Sequence, residues 1–114
     1  MSTYFKKIEY KMDVDFLAKL DEARAYAGIP FIINSAFRTK EDNERIYKEL
    51  KKPVNTNSSH LKGLAVDIKA TDSRTRFIIL DALLAVGFSR IGVGGTFIHV
   101  DASVDKDQNV VWTY

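Results

Sequence analysis

Residues 58–67 read SSHLKGLAVD. They carry His60, one of the two histidines in the chain, with Gly63 and Asp67 behind it. The segment LAVDI alternates in the manner of a short strand. Leu64, Val66 and Ile68 share one face, and Ala65 and Asp67 share the other. A strand that buries its apolar side therefore lifts one carboxylate onto the opposite side. Gly63 permits a sharp reversal between His60 on a loop and Asp67 on the strand, so the two side chains can meet.

The second histidine repeats the arrangement. In FIHVD, Phe97, His99 and Asp101 share one strand face, while Ile98 and Val100 take the other, core-facing side. Each histidine thus lies beside an aspartate, on or next to a strand with a buried back. Catalytic zinc takes three protein ligands and keeps a fourth position for water, and His60, Asp67 and His99 would supply such a set. The metal would acidify its water and polarise a substrate carbonyl, with a neighbouring carboxylate accepting the proton. Taken singly, either histidine is more often a surface or hydrogen-bonded residue than a ligand, and for either segment alone that reading is the simpler one.

Working outward, Asp13 caps a helix whose apolar residues are Phe16, Leu17, Leu20, Ala23 and Ala27, with Gly28 and Pro30 ending it. PFIINSAF reads as a buried strand. Thr39 opens a second helix with Ile46, Tyr47 and Leu50 on its apolar side, and Pro53 marks its end. VNTNSSH is a polar loop. A third helix spans about Asp72 to Val86, stopped by Gly87 and rich in Phe77, Ile78, Leu80, Leu83 and Leu84. FSRIGV and TFIHVDA form two strands around Gly94-Gly95, and NVVWTY a last one. The later connections are too short for parallel crossovers. The expected fold is α+β: one domain, residues 1–114, a mainly antiparallel sheet with helices packed on it.

At 114 residues the chain suits one domain that buries roughly 65% of its unfolded surface. With 46% hydrophobic and 28% charged residues its composition is that of a globular protein. There is no cysteine, which excludes disulfides and restricts any zinc site to His, Asp or Glu. A net charge of +2, without a dense Lys/Arg stripe, argues against nucleic acid and is compatible with an anionic matrix such as a bacterial wall. The opening MSTYFKKIEYKMDVDF lacks the apolar run of a secretory signal, and no run has the length of a membrane span.

SSHLKGLAVD fits the pattern S-x-H-x-x-G-x-A-x-D through Ser58, His60, Gly63, Ala65 and Asp67. The pattern resembles that of the zinc D-Ala-D-Ala carboxypeptidase family, with its VanY-like enzymes and phage endolysins, which share a metal fold with the hedgehog signalling domain. INSAFRTKEDN is similar to the family's S-G-[YF]-R-S segment through Ser35, Phe37 and Arg38, with Asn43 five residues after the arginine. IGVGGTFIHVD looks like the last histidine segment of the smaller members. The matches follow family order from Ile32 to Asp101. The resemblance implies His60, Asp67 and His99 as zinc ligands and Arg38 as a substrate-side cation. It places Ser58 and Asn43 among the substrate-binding residues. The substrate class implied is a peptidoglycan stem peptide, cleaved at an amide bond by a monomer. A phage lysin or a domain of a larger protein would fit.

Two positions depart from the family. The glycine of S-G-[YF]-R is Ala36. Many members carry an acid three residues before the last histidine, where this chain has Thr96. Asp101 is the nearest carboxylate and the candidate general base, with orienting His99 as its alternative role. The missing acid also admits a rival function, a non-catalytic zinc module that recognises wall peptide or a protein partner. Arg38 has a bland alternative in pairing with Glu41 or Asp42. Tyr4, Tyr10, Trp112 and Tyr114 could form a platform for glycan or peptide, although strand-edge packing is the simpler reading of Trp112. Ser59 lacks any triad or G-x-S-x-G elbow and is no nucleophile.

Overall fold

A computed structural model describes residues 2–114; Met1, included in the expected domain, lies outside the described residues. Three helices and five strands follow in the order α1 (Val14–Ala27), β1 (Ile33–Ser35), α2 (Lys40–Glu49), β2 (Ala65–Lys69), α3 (Ser73–Ala85), β3 (Arg90–Val93), β4 (Phe97–Asp101) and β5 (Val110–Thr113). The caps at Asp13 and Thr39 are those the sequence announces, and Asp72, the expected start of the third helix, caps it as well. The Asp13 carboxylate accepts from the Phe16 amide at 2.8 Å, and the Thr39 hydroxyl accepts from Asp42 N. The Asp72 side chain likewise accepts from Thr75 N. Each satisfies one of the orphan donors of a helix start.

The strands form one sheet in the order β1-β2-β4-β3-β5. The pairings β1–β2, β2–β4 and β3–β4 are antiparallel, which makes the sheet mainly antiparallel as expected. The last strand runs differently: β5 lies parallel to β3 at the sheet edge. No helical crossover is needed, because the intervening strand β4 already returns the chain to the correct end.

One face of the sheet is the core. Val66, Ile68, Ile91, Ile98 and Val100 are fully buried against Phe16, Leu17, Leu20 and Ala23 of α1 and Ile79, Ala82 and Leu83 of α3. The third helix turns a narrower face inward than its composition implies, leaving Phe77 and Leu84 exposed. The expected buried strand from Pro30 to Phe37 is only three residues long. It is an edge strand with an irregular register, and Ile32 before it is exposed. In α2 only Asn43 is buried, and its apolar residues face the other side of the sheet.

Gly63 closes the short 3₁₀ turn Ser59–Lys62 with φ of 68°. A Cβ there would sit 2.1 Å from the Lys11 carbonyl oxygen, while the Gly63 carbonyl accepts from Asp13 N. Both the left-handed backbone and the close approach exclude a side chain. Gly63→Ala should therefore destabilise the fold by about 2–4 kcal/mol and lower Tm by on the order of 10 °C. A thermal melt within a degree or two of wild type would contradict the assignment.

Candidate metal centre and cleft

The face opposite the core carries the candidate site. Antiparallel register sets Asp67 of β2 directly opposite His99 of β4. The same row continues through Ser35 of β1 on one side and through Gly92 of β3 and Trp112 of β5 on the other. Alternation along each strand does the rest: Val66 and Ile68 enter the core, and Asp67 turns away from it. The 3₁₀ turn brings His60 in from beside the strand, and its side chain is 4% exposed.

The ligand-type atoms of His60, Asp67 and His99 all lie within 4.8 Å of one another. Asp67 Oδ1 is 2.9 Å from His99 Nδ1 and 3.3 Å from His60 Nε2. The Ala36 carbonyl fixes the tautomer of His60, whose Nδ1–H donates to it at 2.8 Å. His99 lies between two carboxylates, Nε2 2.7 Å from Asp101 Oδ2 and Nδ1 2.9 Å from Asp67 Oδ1, and either nitrogen can carry the proton. With the His99 proton on Nε2, the nitrogens of both rings that face Asp67 carry lone pairs. Three acceptors converge on one point, and only a cation, as protons or as a metal ion, satisfies them together. Ligands around a tetrahedral zinc with bonds of about 2.1 Å lie roughly 3.4 Å apart, so the donor set fits the ion with small adjustments. A histidine ligand whose far nitrogen donates to a carboxylate or backbone carbonyl is the usual supporting arrangement.

The electrostatics follow from this crowding. Burial by itself would raise the Asp67 pKa, but hydrogen bonds with His60 and His99, together with their charges, hold its carboxyl far below the usual range. Burial lowers His99, yet its bonds to Asp101 and Asp67 outweigh that and raise the imidazole above its ordinary value. Asp101 is raised by burial and lowered more by its bonds to His99 and Arg90.

Arg38 lies in the site. Its Nε donates to Ser35 Oγ at 3.0 Å, and its Nη2 reaches Asp67 Oδ2 at 3.4 Å rather than Glu41 or Asp42. Its backbone amide donates to the His60 carbonyl, so the SAFR and SSH segments are laced together at both His60 and Ala36. Asp101 is 2% exposed with both oxygens engaged. Oδ2 takes the proton of His99, while Oδ1 takes Arg90 Nε at 2.7 Å and Ser103 N at 3.2 Å. Ser58 lines the cleft, but its hydroxyl accepts from His60 N and caps the turn. Asn43 does not line it; its Nδ2 donates to the Asn55 carbonyl and ties α2 to the following loop.

The cleft has a volume of about 580 Å³. Ile46 and Tyr47 of α2, with Leu50 just beyond its end, form one wall, Trp112 and Tyr114 another. Trp112 leans over Gly92, where a Cβ would meet its Nε1 at 2.6 Å, and its ring lies 5.6 Å from that of His99. Tyr4 and Tyr10 are elsewhere on the surface. Arg90, Lys106 and Gly92 escape a reading of the sequence. A glycine inside a strand was the available signal, since it marks a close approach of another group.

The sequence model of the Peptidase M15 family matches residues 3–101 of this chain. Among solved structures, the chain is similar to the Serratia marcescens L-Ala D-Glu endopeptidase ChiX. Identity is 16%, the TM-score is 0.65, and the alignment covers 92% of this chain and 90% of that one. No curated protein sequence matches.

A metal ion entering this centre must displace protons from it. Because His99 is raised, affinity for zinc should begin to fall at a pH above the ordinary histidine value of about 6.5 and keep falling as pH drops. Calorimetric titration of the metal-free protein across this range checks it. Affinity independent of pH would show that the imidazoles are not the ligands.

Proposed function

The chain belongs to the Peptidase M15 family, and we propose that it is a zinc-dependent peptidase hydrolysing an amide bond in bacterial cell-wall peptides. The observation that carries the proposal is the convergence of His60, Asp67 and His99 on one point of an open cleft. The residues from 1 to 114 would act as a single peptidase domain. The fold likeness to an L-Ala D-Glu endopeptidase supports endopeptidase action on a stem peptide over removal of a terminal residue.

When bound, zinc supplies Lewis acidity toward a carbonyl and toward water. The protein's own side chains do the remaining work. His60 and His99 present lone pairs because Ala36 and Asp101 hold their far nitrogens. Arg38, pinned by Ser35, offers a fixed guanidinium to the carbonyl or carboxylate of the substrate. Tyr47 and Trp112 flank the peptide. Of the two roles open to Asp101, the hydrogen bonds favour the positioning one, since both oxygens are occupied. Among the described residues, Asp67 and Asp101 are the only carboxylates lining the cleft. Thr96 carries no carboxyl group and does not line the cleft.

Purified peptidoglycan incubated with the zinc-loaded protein should release new amines, and a chelator should abolish the release. His60→Ala, Asp67→Ala and His99→Ala should each lose most of about one zinc per chain. A metal-loaded protein that releases nothing from varied wall substrates would instead favour a binding module of the same fold.

Two substitutions separate the roles. Arg38→Lys keeps the charge and loses the planar fork, so turnover should fall with zinc retained; wild-type turnover would remove Arg38 from the site. Asp101→Asn should weaken zinc on the order of 10–100-fold, with activity returning at high zinc. A loss of roughly 10²–10⁴-fold that persists at saturating zinc would assign Asp101 as the general base.

A further inference from the structure

The cleft is lined by four cations, and they are not equivalent. The Arg38 guanidinium is engaged by Ser35 and Asp67, and that of Arg90 by Asp101, the Asp107 carbonyl and the Trp112 ring. Lys52 is exposed. Lys106, on the loop between β4 and β5, is half-buried at the cleft and donates from Nζ to Ser59 Oγ at 3.1 Å. No ion pair among the described residues includes it. Its neighbour Asp105 is taken by Lys62 at 2.9 Å.

We propose that Lys106 is a specificity-determining residue that binds a free carboxylate of the substrate. The inference rests on the peptidase reading for its substrate class, a peptide, and on the cleft for its geometry. An ammonium carries three N–H donors. Ser59 takes one, leaving the others for a ligand in the cleft. Ser59 is itself held by Ser103, so the head of the lysine is anchored rather than swinging. Partial burial pushes the lysine down from its ordinary value, and the nearby charge of Asp101 offsets only part of this, because no carboxylate stands in ion-pair contact with the ammonium. A carboxylate arriving there would restore the lost interaction, whereas a neutral amide would not. Lysine acts as a point charge, which suits a single carboxylate in no fixed plane, in contrast to the forked Arg38.

A stem peptide offers two sources of that group, the internal glutamate carboxylate and the C-terminal carboxylate. Three synthetic peptides separate them: L-Ala–γ-D-Glu–L-Lys–D-Ala–D-Ala, the same peptide amidated at the free carboxyl of D-Glu, and the same peptide amidated at its C-terminus. Each is presented to the zinc-loaded wild type, Lys106→Met and Lys106→Arg. KM and kcat are read from product release, and Kd from titration of the same samples. Wild type should prefer the free acid over one of the two amides by about fivefold, expressed in KM and Kd. That ratio should collapse toward one in Lys106→Met and persist in part in Lys106→Arg. Lys106→Gln replaces the methionine variant if the latter precipitates. Equal treatment of all three peptides by wild type, or an unchanged ratio in Lys106→Met, overturns the inference. If the peptides are hydrolysed with the ratio unchanged, the peptidase reading stands and Lys106 falls. If none is hydrolysed but the Kd ratio appears and collapses, Lys106 stands and the peptidase reading falls.

Discussion

The register of β2 on β4 is the constraint on which the cleft depends. With Val66 opposite Val100 and Ile68 opposite Ile98, two apolar pairs enter the core, and the intervening pair, Asp67 opposite His99, must point the other way. Slipping the pairing by one residue would exchange the faces, placing a carboxylate and an imidazole among leucines and exposing four aliphatic side chains. The hydrophobic core therefore positions the polar site without touching it. Burial of Ile68, Ile98, Val66 and Val100 supplies the energy that holds Asp67 and His99 in contact.

That coupling explains why much of the site was legible in the sequence. Alternation in LAVDI and FIHVD gives the faces, and Gly63 gives the turn that returns His60 to Asp67. The helix caps at Asp13, Thr39 and Asp72 are local interactions between a side chain and an amide three residues on, so they too can be read from short stretches. What was not legible depends on which strands become neighbours. Arg90 reaches Asp101 from the adjacent strand β3, and Trp112 reaches His99 only because β5 lies parallel to β3. The Ile46, Tyr47 and Leu50 stripe has helical spacing whether it faces a core or a cleft, and periodicity cannot distinguish the two. Asn43 illustrates the converse: its motif position suggested substrate, and the fold buries it with its Nδ2 donating to the Asn55 carbonyl.

The polar face is organised in layers of decreasing freedom. His60 and His99 are oriented by Ala36 and Asp101, and Asp101 is oriented in turn by Arg90, which is clamped by the Asp107 carbonyl and stacked 5.0 Å from the Trp112 ring. The loop between β4 and β5 thus contributes through Asp107 and Lys106, one holding the support of the centre and the other standing at the cleft. Replacement of the family's glycine by Ala36 leaves the backbone carbonyl in place for His60, so the departure costs the arrangement nothing at that contact.

Gly92 gives the fold an optical handle. By leaving room for the indole of Trp112, it brings the only tryptophan of the chain to within 5.6 Å of the His99 ring, centroid to centroid. An imidazolium quenches a nearby indole more effectively than a neutral imidazole does. The tryptophan fluorescence of this protein therefore arises from one residue, beside the centre, and carries information about the charge state of His99 without any label.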